Sequence, residues 1–213
     1  MGDVGAIIVG NGGMARELLD LICFAGNIRV DGFFWPFGTE LCGLPIYNVV
    51  PDQSLILGML NHEYRLENIA RIGRDKFIRV TDGYISRVAH IGHGATVVHG
   101  AYVMADAVIE DFVHVHTCAT VGHDCVVGEN TFLGPYSMLG GNVKTGRNCM
   151  VGMGARLLPG VVLGDNVVVG AGAVVTKDIA SHATVYGLPA RPATRFKRRA
   201  SMSLAMLPDA DGD

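Results

Sequence analysis

Cut every six positions, residues 85–175 read ISRVAH IGHGAT VVHGAY VMADAV IEDFVH VHTCAT VGHDCV VGENTF LGPYSM LGGNVK TGRNCM VGMGAR LLPGVV LGDNVV VGAGAV V. The first column is Ile85, Ile91, Val97, Val103, Ile109, Val115, Val121, Val127, Leu133, Leu139, Thr145, Val151, Leu157, Leu163, Val169 and Val175, aliphatic everywhere except at Thr145. A small or short aliphatic residue returns in the fifth column, as at Ala89, Ala95, Ala101, Ala107, Cys125, Ala155 and Ala173. Glycine is frequent in the second, as at Gly122, Gly128, Gly134, Gly146, Gly152, Gly164 and Gly170. Neither the 3.6-residue period of a helix nor the two-residue period of a long strand gives this spacing. A short strand and a turn, repeated, do: the first residue points inward, the second needs a permissive backbone, and the fifth fills a narrow corner.

A different unit precedes the repeat. Val4-Gly5-Ala6-Ile7-Ile8-Val9 reads as a buried strand, followed by Gly10-Asn11-Gly12-Gly13-Met14-Ala15 and a helical run through Leu18, Leu19 and Ile22. This is G-x-G-x-x-A between a strand and a helix, where glycines let the backbone approach a phosphate at the helix N-terminus. Gly26-Asn27 should end that helix, with further strands over Ile28 to Phe34 and Leu55 to Leu57 and a second helix over His62 to Ile72. The segment is too short for a complete two-halved dinucleotide fold, which argues against an NAD-dependent oxidoreductase. The expected division is a Gly-rich βαβ acceptor-binding domain over 1–82, the repeat over 83–192, and a basic tail over 193–213, expected to be disordered. Arg195, Lys197, Arg198 and Arg199 read there as a solvated tail rather than a phosphate site.

Composition narrows the partners. The 213 residues carry a formal net charge of −3, against the cationic excess that nucleic-acid binding needs. A charged content of 17% is below the roughly 25% of average domains, as when subunits cover one another. No apolar run reaches the roughly 18 residues of a membrane span, and Met1 to Gly10 lacks the features of a signal peptide. The expected setting is cytoplasmic and the expected partner a small molecule. Cysteines 23, 42, 118, 125 and 149 form no CxxC pair and read as reduced thiols.

Taken together, the Gly-rich βαβ unit and the uninterrupted repeat resemble the hexapeptide-repeat sugar acetyltransferases. This group includes bacillosamine- and perosamine-pathway N-acetyltransferases and sialic acid O-acetyltransferases. The residues that carry the resemblance are Gly10 to Gly13, Asn61 to Arg65, Val121-Gly122-His123-Asp124-Cys125, Gly141-Asn142-Val143-Lys144-Thr145-Gly146 and Gly187-Leu188-Pro189-Ala190-Arg191. The resemblance implies a small α/β Rossmann-like domain followed by a left-handed parallel β-helix with three six-residue rungs per coil. It further implies acetyl transfer from acetyl-CoA to the amino group of a nucleotide-linked amino sugar, in a homotrimer with active sites between neighbouring helices. O-acetylation of a sialic-acid-like or other sugar, and a non-catalytic trimeric binding scaffold, are the alternatives.

In the six-residue frame His123 is third in its rung and faces outward, so it is not a core histidine. A neutral imidazole near pH 7 takes the proton from an attacking amine. The family pattern adds Asp124 as its carboxylate support and the Gly141 backbone N–H as an oxyanion donor. It places the acceptor near Gly10, Asn11, Gly12, Gly13, Asn61 and Asn142, and acetyl-CoA near Phe132, Gly152, Gly170, Lys177, Pro189 and Arg191. Cys125 and Cys149 fall at inward fifth positions and read as core fillers; transfer should be direct, without an acyl-enzyme. His90, His93, His99, His114 and His116 raise a metal site, but the spacing of the zinc β-helix enzymes is missing, so no metal is expected. Three positions depart from the pattern: Met14 stands where related loops continue with His, Trp35-Pro36 where an acidic pair often meets the nucleotide, and Phe132 where many relatives have a second histidine. Asp31 is a candidate for the ribose contact that the missing pair would make.

Overall fold

The computed structural model describes residues 4–25, 28–35 and 37–193. Gly26, Asn27, Pro36 and the basic tail therefore lie outside the described residues. In the N-terminal unit, strand β1 (Val4–Val9) leads into helix α1 (Gly13–Ala25), then β2 (Ile28–Phe34), the short hairpin β3 (Glu40–Leu41) and β4 (Leu44–Tyr47), β5 (Ser54–Leu57) and helix α2 (His62–Ile72). The sheet order is β3-β4-β2-β1-β5, parallel except for β3. Its two faces bury separate clusters: Ala6, Ile8, Val30, Phe33 and Ile56 with Leu18 and Ile22 of α1, and Ile7, Val9, Phe34, Leu55 and Leu57 with Ile69 of α2. The β3–β4 hairpin has no counterpart in the sequence reading, because its two-residue and four-residue strands are too short to show a period.

From Val80 onward the chain winds as a triangular parallel solenoid. Its first sheet stacks Tyr84–Ile85, Tyr102–Val103, Thr120–Val121, Met138–Leu139, Arg156–Leu157 and Val174–Val175. The second stacks His90–Ile91, Val108–Ile109, Val126–Val127, Lys144–Thr145 and Val162–Leu163. The third begins at Val80–Thr81 and runs through Thr96–Val97, His114–Val115, Phe132–Leu133, Met150–Val151 and Val168–Val169 to Thr184–Tyr186 and Arg191–Pro192. Pairing is offset by eighteen residues, as in Tyr102 with Thr120, so each three rungs close one coil and identical columns stack. The first and fifth columns make one continuous core from Ile91 to Val185. Thr145 is tolerated within it because its hydroxyl accepts the Gly128 N–H at 3.1 Å.

The backbone corrects one expectation about this repeat. The left-handed conformation falls at the fourth column, not the second: Asp106, Phe112, Cys118, Asp124, Asn130, Tyr136, Asn142, Asn148 and Asn166 all have φ between 55° and 62°. Asn, Asp and Gly favour that region, and their recurrence in the fourth column was the signal available. Second-column glycines answer a different need, the close approach of adjacent coils. A Cβ on Gly122 would lie 2.8 Å from the backbone of Gly140 and Gly141.

The N-terminal unit is seated on the first coils. Val98 joins the core on the α1 side and Phe112 that on the α2 side, where Phe112 meets Phe77 edge-on at 5.6 Å. The fully buried Arg65 of α2 donates to Asn130 Oδ1 at 2.7 Å, to Met59 O at 2.9 Å and to Phe112 O. Burial without a carboxylate partner draws its guanidinium down to about 10, still a cation at neutral pH. Arg74 adds ion pairs to Glu129 and Asp111, each at 2.7 Å, with its guanidinium 4.7 Å over the Phe112 ring.

Candidate active site

His123 and Asp124 occupy the turn between the first and second sheets. The left-handed φ of 56° at Asp124 folds its carboxylate back, and His123 Nδ1 lies 2.6 Å from Asp124 Oδ2. An ionised carboxylate only accepts, so Nδ1 donates, and in the neutral ring Nε2 then carries the lone pair. The imidazole is 63% exposed and its carboxylate partner 52%. One coil further along the chain, Gly141 packs against the ring: a Cβ there would collide with His123 Nε2 and stand 2.6 Å from Cε1. The His123 carbonyl accepts the Asn142 N–H at 2.8 Å, and the Gly141 carbonyl accepts the Gly160 N–H at 3.0 Å. No acceptor among the described residues is bonded to the Gly141 N–H. A base, its carboxylate and an uncommitted backbone donor are thus stacked along one edge.

The Gly-rich loop opens at the carboxyl ends of β1, β2 and β5, where ligands of open α/β sheets bind. Gly10 donates to Phe34 O at 3.1 Å; its φ is 131° and a Cβ on it would stand 2.8 Å from Gly58 O, so no other residue fits. Gly12 differs, since a Cβ there would meet nothing within 4 Å and its φ is unexceptional. Glycine at 12 is therefore not a demand of the fold. Asn61 lies past the end of β5 and caps α2, its Oδ1 accepting the Tyr64 N–H at 3.1 Å. Asn11 is exposed, and the Trp35 backbone N–H donates to Tyr47 O at the mouth of the same crevice.

Other candidate residues separate into groups. Asp31 is set apart from the loop: it is the bulged residue of β2 where the β1 register shifts, it pairs with Arg29 at 2.6 Å, and it faces Gly5. Five strand residues, about 16 Å, separate Gly5 from Gly10. The Arg29 guanidinium holds the Asp31 carboxyl below the usual carboxylate range. Gly152 and Gly170 share a column on the third sheet, and a Cβ on Gly170 would stand 2.9 Å from Tyr186 Cβ. Tyr186 in turn pairs with Arg191, and the turn between them holds Pro189 after a cis peptide bond. Lys177 lies apart, following the last strand of the first sheet. Phe132 is buried on the third sheet against His114, whereas His123 stands on the edge between the other two sheets.

Burial pushes the Cys125 and Cys149 thiols up, and each lies 3.1 Å from a backbone carbonyl, of Gly140 and Gly164 respectively. Neither is placed as a nucleophile. Among the described residues no group of three or more His, Cys, Asp or Glu side chains is arranged to hold a metal ion, and no helix is long and apolar enough to cross a membrane.

The bacterial transferase hexapeptide family, defined by six repeats, matches residues 106–141 and 142–177. PerB of Caulobacter crescentus, solved in complex with CoA and GDP-perosamine, is 30% identical over 89% of this chain and 97% of its own, with a TM-score of 0.80. A histidine-to-asparagine mutant of the perosamine N-acetyltransferase from the same organism, with the same two ligands, is 29% identical and gives 0.81 over 90% and 97%. The acetyltransferase domain of PglB from Neisseria gonorrhoeae, bound to acetyl coenzyme A, is 30% identical over 90% of this chain and 100% of that one, with a TM-score of 0.80. A search of curated protein sequences returned no significant match. With the repeat, the Gly-rich unit and near-complete mutual coverage in agreement, the chain belongs to the bacterial hexapeptide transferases and, within them, to the acetyl-CoA-dependent sugar N-acetyltransferases.

Proposed function

We propose that this enzyme moves acetyl from acetyl-CoA directly to the amino group of a nucleotide-linked amino sugar, with His123 as general base. The observation that carries the reading is the 2.6 Å His123–Asp124 pair, which leaves Nε2 of an exposed imidazole beside Gly141, whose backbone N–H has no acceptor among the described residues. As the sugar amine forms its bond to the thioester carbonyl carbon, Nε2 takes a proton from nitrogen and Asp124 stabilises the imidazolium. Negative charge gathers on the carbonyl oxygen, where the Gly141 N–H donates. Collapse breaks the carbon–sulfur bond, and the thiolate of CoA recovers a proton from the imidazolium. Turnover of GDP- and UDP-linked 4-amino sugars with acetyl-CoA, followed by thiol release, tests the reaction.

The acceptor would be held by the Gly10–Gly13 loop at the start of α1 with Asn61, and by Asn142 on the His123 edge, and CoA along Phe132, Gly152, Gly170, Lys177, Pro189 and Arg191. Because Gly12 opens on empty space, Gly12→Leu should fold normally and fill the crevice. Its expected signature is an acceptor KM raised at least about tenfold with the acetyl-CoA KM nearly unchanged. The reverse split would exchange the two ligands.

The acceptor crevice and His123 stand on different edges of one chain, so a second copy would complete the site. Tyr84, Tyr102 and Met138 support a homotrimer: they are 60%, 48% and 46% exposed in one column of the first sheet, an apolar stripe that a neighbouring copy would cover. Light scattering should give three times the mass of 22.6 kDa. A stable monomer across the micromolar range would remove the shared site.

A further inference from the structure

One polar cluster, on the third sheet beneath α1, takes no part in this mechanism. His116 is buried; its Nδ1 accepts the Thr117 N–H at 2.7 Å, so the ring proton sits on Nε2, which lies 3.3 Å from Glu17 Oε1. The Glu17 side chain is itself 51% exposed. His114 is buried beside this pair, and neither ring nitrogen has a hydrogen-bond partner among the described residues. It stacks face to face on Phe132 at 5.2 Å and meets His116 edge-on at the same distance. If this junction served only to dock α1 on the solenoid, apolar side chains would do it at lower cost, since an unpaired buried polar group is destabilising.

Glu17 is four residues past Gly13, so it lies on the same side of α1 as the end of the Gly-rich loop, about 6 Å further along the axis. A diphosphate at the N-terminus of α1 would therefore extend its attached sugar toward this carboxylate and the solenoid face below it. We propose that Glu17, whose Oε1 lies against the buried His116 ring, accepts hydroxyls of the sugar ring and selects the sugar of the acceptor, a reading that rests on the function proposed above. One carboxylate oxygen lies 3.3 Å from His116 Nε2, and the half-exposed side chain keeps acceptor capacity for a sugar hydroxyl. His116 acts through Glu17 and is a positioning residue.

The test compares a GDP- or UDP-linked 4-amino sugar with GDP or UDP alone, which share the nucleotide and lack the sugar. Glu17→Gln should raise the acceptor KM about tenfold or more while the inhibition constant of the free nucleotide and the KM for acetyl-CoA stay unchanged. His116→Phe, which keeps a buried ring and removes the N–H, should reproduce that split in smaller measure with kcat nearly constant. An unchanged acceptor KM in Glu17→Gln would overturn the proposal. So would a parallel rise for sugar nucleotide and free nucleotide, which would show that Glu17 only docks α1. If the wild-type enzyme acetylates no nucleotide-linked amino sugar, the proposed function fails first and the Glu17 assignment with it.

Discussion

His123→Asn is expected to lower kcat by about 10²–10⁴-fold, the usual contribution of a positioned general base, while acetyl-CoA still binds. Asparagine keeps a similar size and a hydrogen-bonding tip, and the corner it would occupy is fixed by backbone bonds from Asp124 to Ala105 and from Asn142 to His123, which the substitution leaves in place. Its amide cannot take a proton from nitrogen near neutral pH, so the chemical step alone should suffer. The pH profile gives the second arm of the measurement. If the amine must lose its proton before attack, the deficit of the variant should shrink as pH rises toward the amine's own pKa, because solvent then does the work of the imidazole. Full activity at pH 7 in a correctly assembled variant would place the base elsewhere. Asp124→Asn should fall between the two enzymes, since a neutral amide no longer stabilises the imidazolium that the 2.6 Å contact supports.

Much of this architecture is legible in the first column of the repeat, because a residue that must point into a narrow prism every sixth position leaves few alternatives. His123 is legible for a related reason: the same frame that buries Val121 and Cys125 forces the third position out. The nature of the corner is harder to read, since glycine in the second column answers coil spacing while Asp and Asn in the fourth carry the left-handed turn. Ladder frame and backbone conformation are separate constraints, and the frame alone does not assign them. Asp31 illustrates the other limit. Offered as a substitute for the missing acidic pair, its carboxylate sits at the bulge of the Ala6/Ile7 register shift and faces Arg29 and Gly5, a placement that no strand pattern reports. Arg65, Glu17 and His116 escape for the opposite reason. Their significance lies in contacts between the α/β unit and the solenoid, as in Arg65 to Asn130, 65 positions away, and no local period reports such a contact.

Gly141→Ala should lower kcat by about 10²-fold while leaving the melting temperature within a few degrees of the parent. The added methyl would collide with His123 Nε2 and stand 2.6 Å from Cε1 and 3.0 Å from Cδ2, distances that real Cβ atoms do not tolerate. What yields is the end of an exposed side chain, not the backbone, so the fold loses little. The ring cannot move freely, however, because Nδ1 is bonded to Asp124 at 2.6 Å and the turn carrying both residues is stapled to the coils on either side. It either swings away and gives up the carboxylate or tilts and carries Nε2 off its line, and a misplacement of about 1 Å is worth about 10²-fold. Alanine keeps the backbone N–H, so the oxyanion donor survives, and a loss of kcat in this variant isolates the placement of the imidazole. Kinetics paired with thermal denaturation make the distinction: low kcat in a protein that melts with the parent assigns Gly141 to holding His123 in register. A kcat within about twofold of the parent would mean that Nε2 does not take the proton from this position, and would remove the geometric basis for His123 as the base.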